Sequence, residues 1–205
     1  MLRLLAVFLL SSPLLGQNSV VQSWPANETS SIQLKLPYAN RLEIIGETRT
    51  TIETEYLAEG EYQNDLRLNV ALQENQLTLI EQLSPSFNPY HDKLSAHKVM
   101  ASTLRLKVPE NMTLYLVIEN AECQLTGKIK QLELKQNEGN VFLENVELNG
   151  QIWTNKANIQ LVDTTQTVFA SSKKGRIAGA FTLVDKAHLL LYSNSGNISR
   201  LSKRK

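Results

Sequence analysis

NAECQL at 120–125, NEGNVFL at 137–143, NKANIQL at 155–161, KKGRIAG at 173–179 and NSGNISR at 194–200 are five versions of one phrase. Their junctions at Cys123, Asn140, Asn158, Arg176 and Asn197 are separated by 17, 18, 18 and 21 residues. A fixed period of this length marks a repeat architecture in which each unit buries its apolar face only against its neighbours. Two apolar columns run in register through the phrases: Gln124, Val141, Ile159, Ile177 and Ile198, and seven positions earlier Val117, Leu134, Ile152, Ala170 and Leu191. Between them lie Asn120, Asn137, Asn155, Lys173 and Asn194, a prospective asparagine ladder, and the small-residue corner Glu122, Gly139, Ala157, Gly175 and Gly196. Stacked strands place equivalent residues about 4.8 Å apart, so amide side chains in one column can hydrogen-bond along the stack. The spacing leaves room for three short strands per turn, and the fold expected is all-β: a single-stranded β-solenoid over residues 111–201.

Upstream the periodicity is also that of strands. Ser31–Leu36, Arg41–Ile45, Thr50–Tyr56, Leu66–Leu72 and Gln76–Glu81 read as successive strands, with Leu66, Leu68, Val70 and Leu72 on one face. A long loop is expected at 83–97, where Pro85 and Pro89 exclude a central strand. Strands resume at Leu104–Val108 and Leu114–Ile118. The domain expected therefore covers 30–201, with 30–110 as a strand-rich cap on the regular coils and 202–205 as a basic tail.

The first 16 residues have the order of a secretory signal: Arg3, an apolar stretch from Leu4 to Leu10, and Gly16 at the exit. Residues 17–29 read as a linker. With Arg3 removed, the formal charge of +1 falls to zero, which argues against a nucleic-acid partner. Arg200, Lys203, Arg204 and Lys205 form a basic ending suited to anionic lipid or glycan, or simply to a solvated terminus. The single cysteine, Cys123, has no disulfide partner in the chain and reads as a packed small side chain.

The small corner followed by a strand, in Gly139-Asn140-Val141, Ala157-Asn158-Ile159, Gly175-Arg176-Ile177 and Gly196-Asn197-Ile198, resembles the exported bacterial β-helix proteins of the DUF4097 family. Close to these are the head-GIN and auto-transporter-adhesin-like proteins of Bacteroidetes. The order of parts is similar over roughly residues 30–200. The resemblance implies a right-handed parallel β-helix, an exported protein of the periplasm or cell surface, an adhesin-like role, and no catalytic residues to carry over. The chain departs from the pattern at Glu122-Cys123-Gln124, where the glycine is missing, and in the final 21-residue step.

Residues with chemical potential are scattered. Glycoside hydrolysis needs two facing carboxylates, but Asp163, Asp185, Glu119, Glu122, Glu133, Glu144 and the pair Glu138 and Glu147 share no register. Tyr90, His91, Asp92 and His97 are the one cluster of metal-ligand types, too few for a supported zinc site. Cys123 with His188 as its base would require two coils to converge. Trp24, Trp153, Tyr90 and Tyr115 could stack on sugars but form no spaced stripe in the sequence. Asn27, Asn111 and Asn197 head glycosylation acceptor triplets that a bacterium of the resembled kind leaves unused. No catalytic, cofactor or metal residue is assigned. The function expected is a noncatalytic scaffold whose partner is a cell-envelope protein or glycan, with self-association through open ends. The alternatives are a polysaccharide-active enzyme and a lipid carrier.

Overall fold

A computed structural model describes residues 19–87 and 100–201. The leader, the cluster Tyr90, His91, Asp92 and His97, most of the proline-bearing loop and the tail 202–205 lie outside the described residues.

Fifteen strands are present among the described residues, with two single-turn 3-10 segments and no α-helix. None of them is a helix long and apolar enough to cross a membrane. The strands are β1 (Ser19–Pro25), β2 (Ser31–Leu36), β3 (Ala39–Glu47), β4 (Thr51–Gly60), β5 (Leu66–Gln73), β6 (Gln76–Leu83), β7 (Met100–Pro109) and β8 (Thr113–Asn120). They continue with β9 (Glu122–Glu138), β10 (Asn140–Thr154), β11 (Asn158–Val162), β12 (Val168–Ser172), β13 (Ile177–Ala178), β14 (Leu189–Ser193) and β15 (Ile198–Leu201). Upstream, each expected strand is found, Ser31–Leu36 with the expected bounds and the others with shifted ends. The stretch read as a linker carries β1, which pairs antiparallel with β4.

The chain is all-β, but its sheet is mixed rather than a uniformly parallel helix. A first ladder runs β1-β4-β7-β3-β9-β10-β11-β15-β13. A second runs β5-β6-β2-β8-β9-β10-β14-β12. Three pairings are antiparallel, β1 with β4, β4 with β7 and β5 with β6, and the others are parallel. The β5–β6 pair is a hairpin closed by Glu74 and Asn75, both at positive φ, as a two-residue turn of matching twist requires.

The sheet curls because β9 and β10 are long enough to belong to both ladders. Each bends midway, and their pairing slips between Glu144 and Val146 and again between Leu148 and Asn149. Gly127 makes the bend in β9: its φ is +80°, and a Cβ there would lie 2.0 Å from the carbonyl oxygen of Gly46. The curl brings two inward rows into one apolar cluster. Leu42, Cys123, Val141, Ile159 and Ile198 come from the first ladder, and Leu34, Leu116, Leu134, Ile152 and Leu191 from the second.

Two corrections to the expected register follow. Val141 pairs with Cys123, and Leu134 with Leu116. Gln124 and Val117 are therefore one position out of the apolar columns, and a one-residue slip turns a side chain to the other face. Val117 is accordingly 47% exposed. The small corner of the first coil is Ala121, not Glu122, and its carbonyl lies under Gly139. The second correction concerns order. Ile159 pairs with Ile198, and Ile198 with Ile177, so the fifth phrase lies between the third and the fourth. The same exchange holds in the second ladder, where β14 separates β10 from β12. The chain moves one layer outward after β11 and later returns to fill the gap.

Candidate functional site

The exchanged order has a physical basis in the corner residues. Asn137 Nδ2 donates to Glu119 Oε1 (2.6 Å), Asn155 Nδ2 to Asn137 Oδ1 (2.9 Å) and Asn194 Nδ2 to Asn155 Oδ1 (3.1 Å). An amide accepts from one side and donates to the other, which extends the ladder; the ammonium of Lys173 has no acceptor and can only end it. The expected column is thus present in part, with Glu119 at its head instead of Asn120. A second row follows three residues on at the same corners: Asn158 Nδ2 donates to Asn140 Oδ1 (3.0 Å), the Asn197 N–H to Asn158 Oδ1 (2.9 Å), and the Arg176 N–H to Asn197 Oδ1 (2.8 Å). Asn197 is therefore a structural member of the corner.

Beside the first amide row stands the outer face of the second ladder. Strand alternation turns Tyr115, Val117, Glu133, Lys135, Trp153 and Tyr192 away from the core. Register places Val117, Lys135, Trp153 and Tyr192 in one line across β8, β9, β10 and β14. Trp153 is 45% exposed and stacks on Tyr192 at 4.1 Å and 15° between planes, and Phe169 packs against Tyr192 at 5.8 Å. Lys135 leans along its own strand to Glu133 (3.2 Å). The gap it leaves between Val117 and Trp153 is part of a surface cleft of about 480 Å³ that also touches Asn137 and Asn155. A second cleft of about 360 Å³, with Gln33, Gln76 and Tyr115 in its lining, shares Val117 and Lys135 with the first.

The aromatic stripe missing from the sequence is thus assembled by the fold. Trp153 and Tyr192 immediately follow Ile152 and Leu191, members of one apolar column, so their shared register was available from the repeat spacing; their adjacency was not, because it depends on the exchanged order. Trp24 is half-buried in β1 and packs against the core, away from this row.

A larger groove of about 830 Å³ occupies the opposite bend, among Glu110, Lys128, Glu147, Leu148, Gln166 and His188. Its polar groups are mostly engaged with each other. Lys128 pairs with Glu147 (3.2 Å), the Leu148 N–H donates to Gln166 Oε1 (2.8 Å), and Thr167 Oγ1 lies 2.6 Å from His188 Nδ1. Arg200 closes the loop behind it, donating to the carbonyls of Thr164, Gln166 and Ala180. Arg200 is therefore a clasp within the fold rather than part of a free basic ending.

The pair Glu138 and Glu147 does not converge, while Glu122 and Glu144 line one shallow cleft with Phe142. Glu138 is held by Lys156 (2.5 Å) at the amide corner, whereas Glu147 stands at the other bend. Lys156 is raised above its ordinary value by its hydrogen bond to Glu138. No group of three or more metal-ligating side chains gathers among the described residues. Cys123 is fully buried, and burial pushes its thiol up to about 12. Since the thiolate is the reactive form, Cys123 should resist iodoacetamide at pH 8 in the folded protein and be alkylated at once in denaturant; mass spectrometry of both samples checks this.

No family model and no curated protein matches the chain. Among solved structures it is similar to a candidate cell adhesion protein from Clostridium sporogenes, at 14% identity and a TM-score of 0.58, over 91% of this chain and 99% of that one. That likeness establishes a shared fold. Looser likenesses are to a candidate adhesin from Bacteroides fragilis (10% identity, TM-score 0.35, 91% and 98% covered) and to a candidate lipid-binding protein from Parabacteroides distasonis (9%, 0.28, 90% and 97%).

Proposed function

We propose that this chain is an exported, noncatalytic scaffold of the bacterial cell envelope, adhesin-like and related to the DUF4097 proteins, which presents the outer face of its second ladder to an envelope component. The observation that carries this reading is the outward row Val117, Lys135, Trp153 and Tyr192, the first three exposed and Tyr192 half-buried, held in place by a core filled with leucine, isoleucine and valine. A filled core favours a scaffold over a lipid carrier, and the separate engagement of Glu119, Glu133, Glu138 and Glu147 favours it over a glycosidase. We read the part from β8 onward as a β-solenoid with exchanged outer coils; its support is parallel pairing at 18-residue steps. The open edges at β13 and β12 would be the sites of pairing with a second copy.

The purified mature chain should co-sediment saturably with envelope fragments, and retention in the supernatant at every fragment concentration would overturn the scaffold reading. Export makes a second prediction. The intact mass of protein recovered from the producing cell's envelope should begin at Gln17, and a mass retaining residues 1–16 would contradict it.

A further inference from the structure

We propose that the trough beside Trp153 is a binding site for neutral carbohydrate chains, an inference that rests on the scaffold reading above and names its partner class. One face of the Trp153 ring is covered by Tyr192. The other looks across the ladder toward Lys135 and Val117, in a gap two strands wide, about 9.6 Å. A pyranose ring presents axial C–H groups to such an aromatic face, and Tyr192, itself backed by Phe169, holds the indole in place.

The polar rim matches the same chemistry. Asn137 and Asn155 each use one amide proton and one oxygen lone pair in the ladder, leaving one donor and one acceptor apiece at the spacing of strands. Their positions are fixed by the ladder, so binding hydroxyl groups costs little further ordering. The formal charges lining the trough sum to zero, Lys135 and Lys173 against Glu119 and Glu133, with Lys135 paired to Glu133, so the site carries no net attraction for an anion. Continuity with the cleft at Gln33, Gln76 and Tyr115 extends the trough over β6, β2, β8, β9 and β10. Four strand spacings give it a length of about 19 Å, enough for an oligosaccharide rather than a single sugar.

The test uses Trp153 as its own reporter in a Trp24→Phe background. The mature protein is titrated with β-1,4-linked oligomers of glucose and of N-acetylglucosamine, with dextran and mannan, with alginate as an anionic polymer, and with phosphatidylglycerol vesicles. The expected result is a saturable change in Trp153 emission with at least one neutral glycan. Its affinity should shift less than about twofold between low and moderate salt, because screening acts on charges. Measured by calorimetry, binding should weaken about tenfold or more in Trp153→Ala, the size of loss that follows truncation of a central aromatic contact. Trp153→Leu keeps apolar bulk while removing the aromatic face and should weaken binding likewise; thermal unfolding identifies which variants remain folded. Equal affinity in the folded variants, or binding to alginate or vesicles alone, overturns the inference. Failure of every glycan while envelope fragments still retain the protein overturns it and leaves the scaffold reading intact; failure of both removes both.

Discussion

Gly196→Ala should lower stability by about 3–5 kcal/mol, the upper range for a single substitution, and bring the melting temperature down by roughly 6–20 °C for a domain of this size. The added Cβ would lie 1.8 Å from the carbonyl oxygen of Ala157 and 2.9 Å from Ser193 Oγ. Neither neighbour can retreat cheaply. The Asn194 N–H donates to Thr154 O (3.0 Å), the Ile159 N–H to Asn197 O (2.8 Å), and the Gly196 N–H to Ser193 Oγ (2.8 Å), so the two corners are tied on both sides of the clash. The gain from a stiffer unfolded chain, about 0.4–1 kcal/mol, is too small to offset it. Ser195→Ala next door loses one exposed hydrogen bond to Asn155 O (3.0 Å) and should cost under about 1 kcal/mol. Calorimetric unfolding of the two variants separates the cases, and equal stability would show that the corners are not in contact.

The second large effect belongs to Glu81, a carboxylate only 1% exposed in the cap. Its Oε1 accepts from Tyr56 OH (2.9 Å) and from Ser102 Oγ, and its Oε2 from the Tyr38 N–H (2.7 Å). Glu81→Ala strands three donors in the interior, and with about 1–3 kcal/mol for each buried unsatisfied group, partly relieved by relaxation, the expected loss is about 3–5 kcal/mol. Combining Glu81→Leu with Tyr56→Phe and Ser102→Ala removes acceptor and hydroxyl donors together and should recover much of that loss. Denaturant titration of the single and triple variants distinguishes these outcomes. The same cluster sets an alkaline limit. Burial, reinforced by the Glu81 charge, holds the Tyr56 phenol above its ordinary value of 10.0. The folded state therefore binds the proton more tightly than the unfolded chain. The resulting stabilisation is fully present below the ordinary phenol value and is lost as pH rises beyond it toward the raised folded value. Tyr56→Phe should remove that part of the alkaline decline.

Both residues show what a one-dimensional reading can and cannot reach. The parity of Glu81 was legible, since in Leu77, Thr78, Leu79, Ile80 and Glu81 the alternation puts it on the side of Leu77 and Leu79, but its burial was not, because an acidic residue in a strand suggests the solvent face. Its hydroxyl partners come from β4 and β7, which no local pattern links to β6. Strand positions and the first amide row were also legible, because parity and an 18-residue period need only spacing; the second row, at Asn140, Asn158 and Asn197, emerged only with the structure. The first coil's register was not, since Ala121 takes the corner without a glycine to mark it and Glu119 takes the place of an asparagine.

Layer order was hidden for a different reason. Every phrase carries the same column chemistry, so Ile177 and Ile198 fit beside Ile159 equally well by pattern. What separates them is Lys173 against Asn194, an end-stop against a link, and the 21-residue step that gives the chain length to travel outward and return. The aromatic row depends on that exchange: only with β14 beside β10 does Tyr192 stack on Trp153.

Paired-cysteine cross-linking tests this order most directly. In a Cys123→Ala background, Gln160→Cys with Ser199→Cys, and Ala178→Cys with Ser199→Cys, join residues that are register partners, within the Cα separation a disulfide spans. Gln160→Cys with Ala178→Cys lies two strands apart, about 9.6 Å, beyond that reach. The exchanged stack predicts rapid oxidation of the first two pairs and none of the third in the folded protein. Cross-linking of Gln160→Cys with Ala178→Cys, and failure of Gln160→Cys with Ser199→Cys, would mean the coils pile in chain order and that Trp153 and Tyr192 do not meet.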